Sequence, residues 1–200
     1  MLIWALAVVF GIGAFASYKL YNSLRYDTHR PMISYVASQY THPLRIAEIG
    51  VFYGTNARRM FKKLNVSKMY LIDPYQKYDD YGHEKKLMTF LPKSFTIAMK
   101  VLGKYAKHTI PLHMTSEQAA SKIPDDLDMV YIDGNHAYDY VKKDIELYYP
   151  KVKTGGLIGG HDIDNTQEGV GVHQAVMEFI EKHNLTLHID KPDWWIVKDT

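Results

Sequence analysis

No cysteine occurs in the 200-residue chain, which excludes disulfide scaffolds, thiolate zinc sites and cysteine nucleophiles. An excess of one charge is also missing. The 24 Lys and Arg stand against 22 Asp and Glu, a net charge of +2, so the broad basic surface of a dedicated nucleic-acid binder is absent. Intrinsic disorder is excluded as well, because 46% of the residues are apolar and the net charge is small. What is present is the composition of one ordinary globular domain, long enough to bury a real core. Tyr supplies 16 of its aromatic residues, which suits amphipathic pockets or interfaces.

Charge is missing altogether from Leu2 to Tyr18, and Lys19, Arg25 and Arg30 follow. At about 1.5 Å per residue this run sits at the lower limit for a bilayer span. The expectation is a membrane-anchor helix over residues 1–18, with Trp4, Tyr18 and Tyr21 at interfacial positions and residues 19–200 in the cytoplasm. Ala14-Phe15-Ala16 leaves a signal-peptide reading open, although no basic residue precedes the run. A helix packed on the domain or a partner is the third reading. Residues 19–43 read as a linker and a leading helix, starting at Pro31 and stopped by Thr41-His42-Pro43.

From residue 44 to 200 short apolar runs alternate with longer amphipathic ones, the pattern of an α/β domain with a mostly parallel sheet. Strands are predicted at Arg45–Ile49, Lys68–Ile72, Thr109–His113, Leu127–Asp133, Leu157–Gly160, Leu185–Ile189 and Trp194–Val197. Helices are predicted at about Asn56–Leu64, Lys93–Lys107, Ser116–Lys122, Tyr138–Tyr149 and Val172–His183. In the helix from Tyr138, Val141, Ile145 and Tyr148 share one face, and Lys142, Lys143, Asp144 and Glu146 mostly fall on the solvated arc. Tyr75–Lys86 is polar and unpatterned, a long loop of the kind that carries substrate contacts.

Chemistry begins where the first strand runs into Glu48-Ile49-Gly50-Val51-Phe52-Tyr53-Gly54. A glycine turn between strand and helix lets backbone approach a nucleotide, and a second glycine packs the helix start. The spacing is neither the dinucleotide fingerprint nor a phosphate loop, so a nicotinamide oxidoreductase is disfavoured. Asp73 closes the second strand, where a carboxylate can accept from both ribose hydroxyls. Ser116, after the third strand, would border an adenine. Taken singly, Asp73 also reads as a turn residue before Pro74 and Ser116 as a helix N-cap. Three such turns at successive strand ends favour one nucleoside site.

These residues resemble the class I S-adenosylmethionine-dependent methyltransferases, whose first motif is matched by Glu48, Gly50 and Gly54 and whose ribose acid is matched by Asp73. Val130-Tyr131-Ile132-Asp133-Gly134-Asn135-His136-Ala137-Tyr138, followed by Gly155-Gly156-Leu157-Ile158-Gly159-Gly160-His161-Asp162, is similar to the small O-methyltransferases of the macrocin/cephalosporin-tailoring type. The resemblance implies a Rossmann-like seven-stranded sheet with its last strand antiparallel and helices on both faces, here preceded by the apolar N-terminal helix. It implies S-adenosylmethionine held by Glu48, Gly50, Tyr53, Gly54, Asp73, Ser116 and Asp133, and methyl transfer to a hydroxyl of a small or glycan-like acceptor. The rival reading is a non-catalytic binding or scaffold protein on the same fold.

Asp133 and His161-Asp162 end adjacent strands at one edge, so their side chains can converge on a cation. Such a ligand set suits Mg²⁺, or Mn²⁺ if His161 binds, and the metal could lower the pKa of an acceptor hydroxyl. Many relatives carry a second Asp where this chain has Asn135, and an amide cannot take a proton. His136 is therefore the candidate general base, with Asp133 beside it. Asp164-Asn165 is a second-ranked metal alternative, and His173 and His183 are expected on a helix surface.

Overall fold

The structure is a computed structural model that describes residues 29–76, 91–167 and 169–199. The expected anchor at Leu2–Tyr18 lies outside the described residues, as does most of the Tyr75–Lys86 loop. Among the described residues no helix is long and apolar enough to cross a membrane. The expectations of a membrane partner, a transmembrane helix and a membrane-associated location are corrected accordingly. At the lower limit of length, a charge-free run does not by itself establish a span.

Helix α1 (Pro31–Gln39) leads into β1 (Leu44–Ile49), α2 (Thr55–Lys63), β2 (Val66–Ile72) and α3 (Leu91–Leu102). A 3₁₀ turn (Gly103–His108) precedes β3 (Thr109–Leu112), then α4 (Ser116–Ala120), β4 (Leu127–Ile132) and α5 (Tyr138–Tyr148) follow. The chain continues through β5 (Val152–Gly160), α6 (Val172–His183), β6 (Leu187–Asp190) and β7 (Asp193–Val197). The sheet order is β3-β2-β1-β4-β5-β7-β6. The β1, β2, β3, β4 and β5 pairings are parallel, whereas β7 runs antiparallel to both β5 and β6. This is the expected Rossmann-like fold.

Period-two alternation divides the core into two layers. Ile46, Met69, Leu71, Met129, Tyr131, Leu157 and Trp195 face α1, α2 and α3. Ala47, Ile49, Ile72, Val130, Ile132, Ile158 and Trp194 face α5 and α6. The single helix predicted at Lys93–Lys107 is broken at Gly103, whose φ of +54° ends the α-helix, and the chain goes on as a 3₁₀ turn. Asp144, placed by periodicity near the solvated arc, is 4% exposed. The leading helix is no mere linker: Met32, Ile33 and Val36 are fully buried in the first layer.

Because the strand order reverses between β1 and β4, the carboxyl ends of those strands flank a crevice, the usual ligand position in open α/β sheets. Gly50, Asp73, Asp133, His161 and Asp162 follow the carboxyl ends of β1, β2, β4 and β5 and so lie at this edge of the sheet.

Candidate active site

Gly50 sits in the crevice with φ +85° and donates its N–H to the Ile72 carbonyl at 2.9 Å. A Cβ there would lie 2.1 Å from the Asp133 carbonyl oxygen. Glycine is thus demanded first by the neighbouring strand's backbone, beyond any approach of a ligand. Gly54, with φ +68°, abuts Ala98 of α3, where a Cβ would lie 3.1 Å from the alanine methyl, as expected of a residue that seats the helix start.

Between these glycines Phe52 adopts φ +48°, a costly conformation for a side chain that bulky. Asp73 braces it. One carboxylate oxygen accepts the N–H groups of Val51 (3.0 Å) and Phe52 (2.8 Å), and the other accepts that of Tyr75 (2.7 Å). Burial pushes the Asp73 carboxyl up against the opposing pull of these donors. The residue is therefore a backbone clamp as well as the candidate ribose acceptor. Tyr53 stacks on Phe52 with centroids 3.8 Å apart, and its hydroxyl is buried without a partner. Burial raises that phenol to about 12.

Glu48 is fully buried on the α2 side of β1. Its Oε1 accepts from Asn56 at 2.9 Å, Asn56 accepts from Arg59 at 3.1 Å, and Oε2 has no partner. Burial raises this carboxyl to about 8. Thr115, not Ser116, caps α4 in a reciprocal capping box with Gln118. Ser116 instead hydrogen-bonds buried Asp144, whose carboxyl is pushed up by burial to about 7 despite that bond.

On the other side of the crevice the structure regroups the candidate metal ligands. Asp133, His136 and Asp162 bring one ligand atom each within 4.8 Å of one another. His136 Nε2 lies 3.2 Å from Asp162 and 3.6 Å from Asp133. Asp162 reaches this position through φ +61°. His161 is turned away: its Nδ1 meets Asp193 at 2.8 Å, and its Nε2 meets an Arg30 nitrogen at 2.9 Å. Because guanidinium only donates, Nε2 must accept, so Nδ1 carries the proton and donates to Asp193. The lone pair that a metal would need is already taken. Asp164 does not join the cluster, while Asn165 donates its side-chain N–H to Asp162 Oδ1 at 3.1 Å.

Cis ligands of an octahedral ion at about 2.1 Å lie about 3 Å apart, and the carboxylate–imidazole–carboxylate spacing fits that donor set. Burial would raise Asp133, but His136, Arg30 and His161 outweigh it and hold its carboxyl below the usual range. Asn135 accepts the Ala137 N–H at 3.0 Å, while its side-chain N–H₂ is buried without a partner.

Two residues here were not found from sequence. Arg30 precedes α1 and reaches Asp133 at 3.6 Å; its position among flanking basic residues gave it a membrane reading instead. Asp193, fully buried, accepts from Tyr131 Oη (2.9 Å), the Met32 N–H (3.2 Å) and His161. No local pattern distinguishes it from a turn acid.

A family model described as a methyltransferase domain matches residues 47–163. This chain belongs to the class I S-adenosylmethionine-dependent methyltransferases. The methyltransferase is 28% identical over 140 residues to uncharacterized protein R132 of Acanthamoeba polyphaga mimivirus, a match covering 68% of this chain and 59% of that protein. Among solved structures it resembles the O-methyltransferase TomG of Streptomyces achromogenes (13% identity, 86% of this chain and 81% of TomG, TM-score 0.57). MycE of mycinamycin biosynthesis, solved with Mg and SAH, aligns with 100% of this chain and 55% of its own at 14% identity and TM-score 0.56. These structural likenesses concern the fold.

Proposed function

We propose that the enzyme transfers the methyl group of S-adenosylmethionine to a hydroxyl of a small-molecule acceptor, with Asp133, His136 and Asp162 as the acceptor-activating cluster. The observation that carries this reading is the convergence of those three side chains beside the Gly50 turn, since Asp133 backbone packs directly on Gly50. The cofactor supplies an already activated methyl group, so the protein's tasks are holding, orienting and deprotonating. The glycine turn, the Asp73 clamp, Tyr53 and Ser116 would border the nucleoside. The partnerless oxygen of Glu48, on a carboxyl that burial keeps protonated at neutral pH, suits an acceptor from the ligand.

His136 would take or relay the acceptor proton, and the two carboxylates would stabilise the imidazolium that forms. Asn135 cannot share this work, but its fixed amide N–H₂ can donate to an acceptor oxygen. In the alternative, metal-bound arrangement Asp133, His136 and Asp162 would hold Mg²⁺ or Mn²⁺ with His136 Nε2 as a ligand in place of a base, and the metal would supply the Lewis acidity that lowers the pKa of a hydroxyl.

The test is S-adenosylhomocysteine release across sugars, phenols and other hydroxylated acceptors, with and without EDTA, together with cofactor calorimetry. Asp162→Ala and His136→Ala should lower turnover by roughly 10²–10⁴-fold with cofactor affinity nearly intact. Turnover unchanged in EDTA and in Asp162→Ala would rule out the metal role. Cofactor binding with no turnover on any acceptor would favour the scaffold reading.

A further inference from the structure

The mechanism above leaves Arg30 unused. Its side chain is 14% exposed and lies against Asp133 and His161, at the carboxyl ends of β4 and β5. One terminal nitrogen is spent on His161 Nε2 and the His29 carbonyl, at 2.9 and 3.3 Å. The other lies 3.6 Å from Asp133, too far for a hydrogen bond. The Nε–H is buried with no partner. Nε and that second terminal nitrogen form the side edge of the guanidinium, whose two parallel N–H groups match the two oxygens of a carboxylate.

The edge is also held in place. Buried Asp193 accepts from Tyr131, from the Met32 backbone and from His161, and His161 accepts from Arg30. Burial works against the charge of Arg30, yet Tyr131, Asp133, Asp193 and Asp162 outweigh it and keep the guanidinium protonated. A fixed cation with an unfilled donor pair bears a desolvation cost that a ligand oxygen would remove.

We propose that Arg30 is an anion anchor for the methyl acceptor, selecting hydroxylated substrates that also carry a carboxylate. This rests on the acceptor lying over β4 and β5, as in the function proposed above. The same chemistry could be presented by the methionine carboxylate of the cofactor, and the experiment separates the two sources.

The full chain, labelled with ¹⁵N, is followed through its arginine Nε–H resonances, that of Arg30 being identified by its disappearance in Arg30→Lys. In protein saturated with S-adenosylhomocysteine, acetate should shift the Arg30 resonance saturably, and neutral acetamide should not. In Arg30→Gln the half-saturating acetate concentration, read from neighbouring backbone amides, should rise at least about tenfold, as expected for loss of a charge-assisted pair. If S-adenosylhomocysteine alone moves the resonance and abolishes the acetate response, while 5′-methylthioadenosine does neither, the anchor belongs to the cofactor and the proposal fails. No saturable acetate shift, with or without nucleoside, also overturns it. An acetate response in a protein that binds no nucleoside would keep the anchor and sink the cofactor site instead.

Discussion

The two halves of the crevice use acids in opposite ways. Over β1–β3, the carboxyls of Glu48 and Asp73 are buried among backbone and amide donors, and burial drives both upward. Over β4, β5 and β7, Asp133 and Asp193 stand among His136, His161 and Arg30, and Asp133 is held downward. The first half is a cradle made from backbone geometry, in which acids shape a turn. The second is a charge cluster, in which two imidazoles and a guanidinium hold Asp133 ionised. In the proposed reaction the activated methyl donor would use the first kind of surface, and the hydroxyl that loses a proton the second.

Breaking the seam between the halves should cost most. Gly50→Val places a Cβ against the Asp133 carbonyl at a φ suited to glycine, and a loss of at least about 4 kcal/mol is expected in urea denaturation. A variant of near wild-type stability would show that the halves are not joined there. Next is Asp193→Ala, which removes the acceptor of three buried donors. About 3 kcal/mol of stability should go, and turnover should fall further than cofactor affinity. Equal losses in both would mean that the network supports the whole edge.

Asp73→Ala removes the clamp from Val51, Phe52 and Tyr75. Loss of charge-assisted, buried bonds predicts about 1.5–3 kcal/mol, divided between stability and cofactor affinity and leaving the acetate response of Arg30 unchanged. Calorimetry showing full affinity in a folded variant would remove Asp73 from the nucleoside site.

Per pH unit the smallest effect is a slope. Glu48 is raised from about 4.5 unfolded to about 8 folded, so the folded state binds the extra proton. Its stabilising contribution is complete below about pH 4.5 and declines by about 1.4 kcal/mol per pH unit until the folded pKa is passed. Glu48→Gln should flatten the stability profile in that window. An unaltered profile would show that Glu48 titrates normally, and the contrast between the halves would be lost.

The cradle was the more legible half. Strand, glycine turn and helix are local features, so Glu48, Gly50, Gly54 and Asp73 could be located by spacing. Their partners could not. That Gly50 is crowded by Asp133 depends on β1 and β4 being neighbours though distant in sequence. In the charge cluster the residue types were visible but the grouping was not. His161 and Asp162 are adjacent in the chain, yet the strand pleat and the left-handed turn at Asp162 send them to different partners. The membrane expectation failed in the opposite way, by extending a local absence of charge into a statement about the whole protein.

The sequence by itself determined the alternation of strands and helices, the two-layer core and the family motifs, because hydrophobic periodicity and turn chemistry act over a few residues. Tertiary structure alone decided which imidazole stands between the two carboxylates. It also decided that an arginine ahead of the first helix closes on the ends of β4 and β5, and that Asp193 lies beneath them. Those contacts join segments up to 161 residues apart, and only the packed sheet order brings such segments within hydrogen-bond reach.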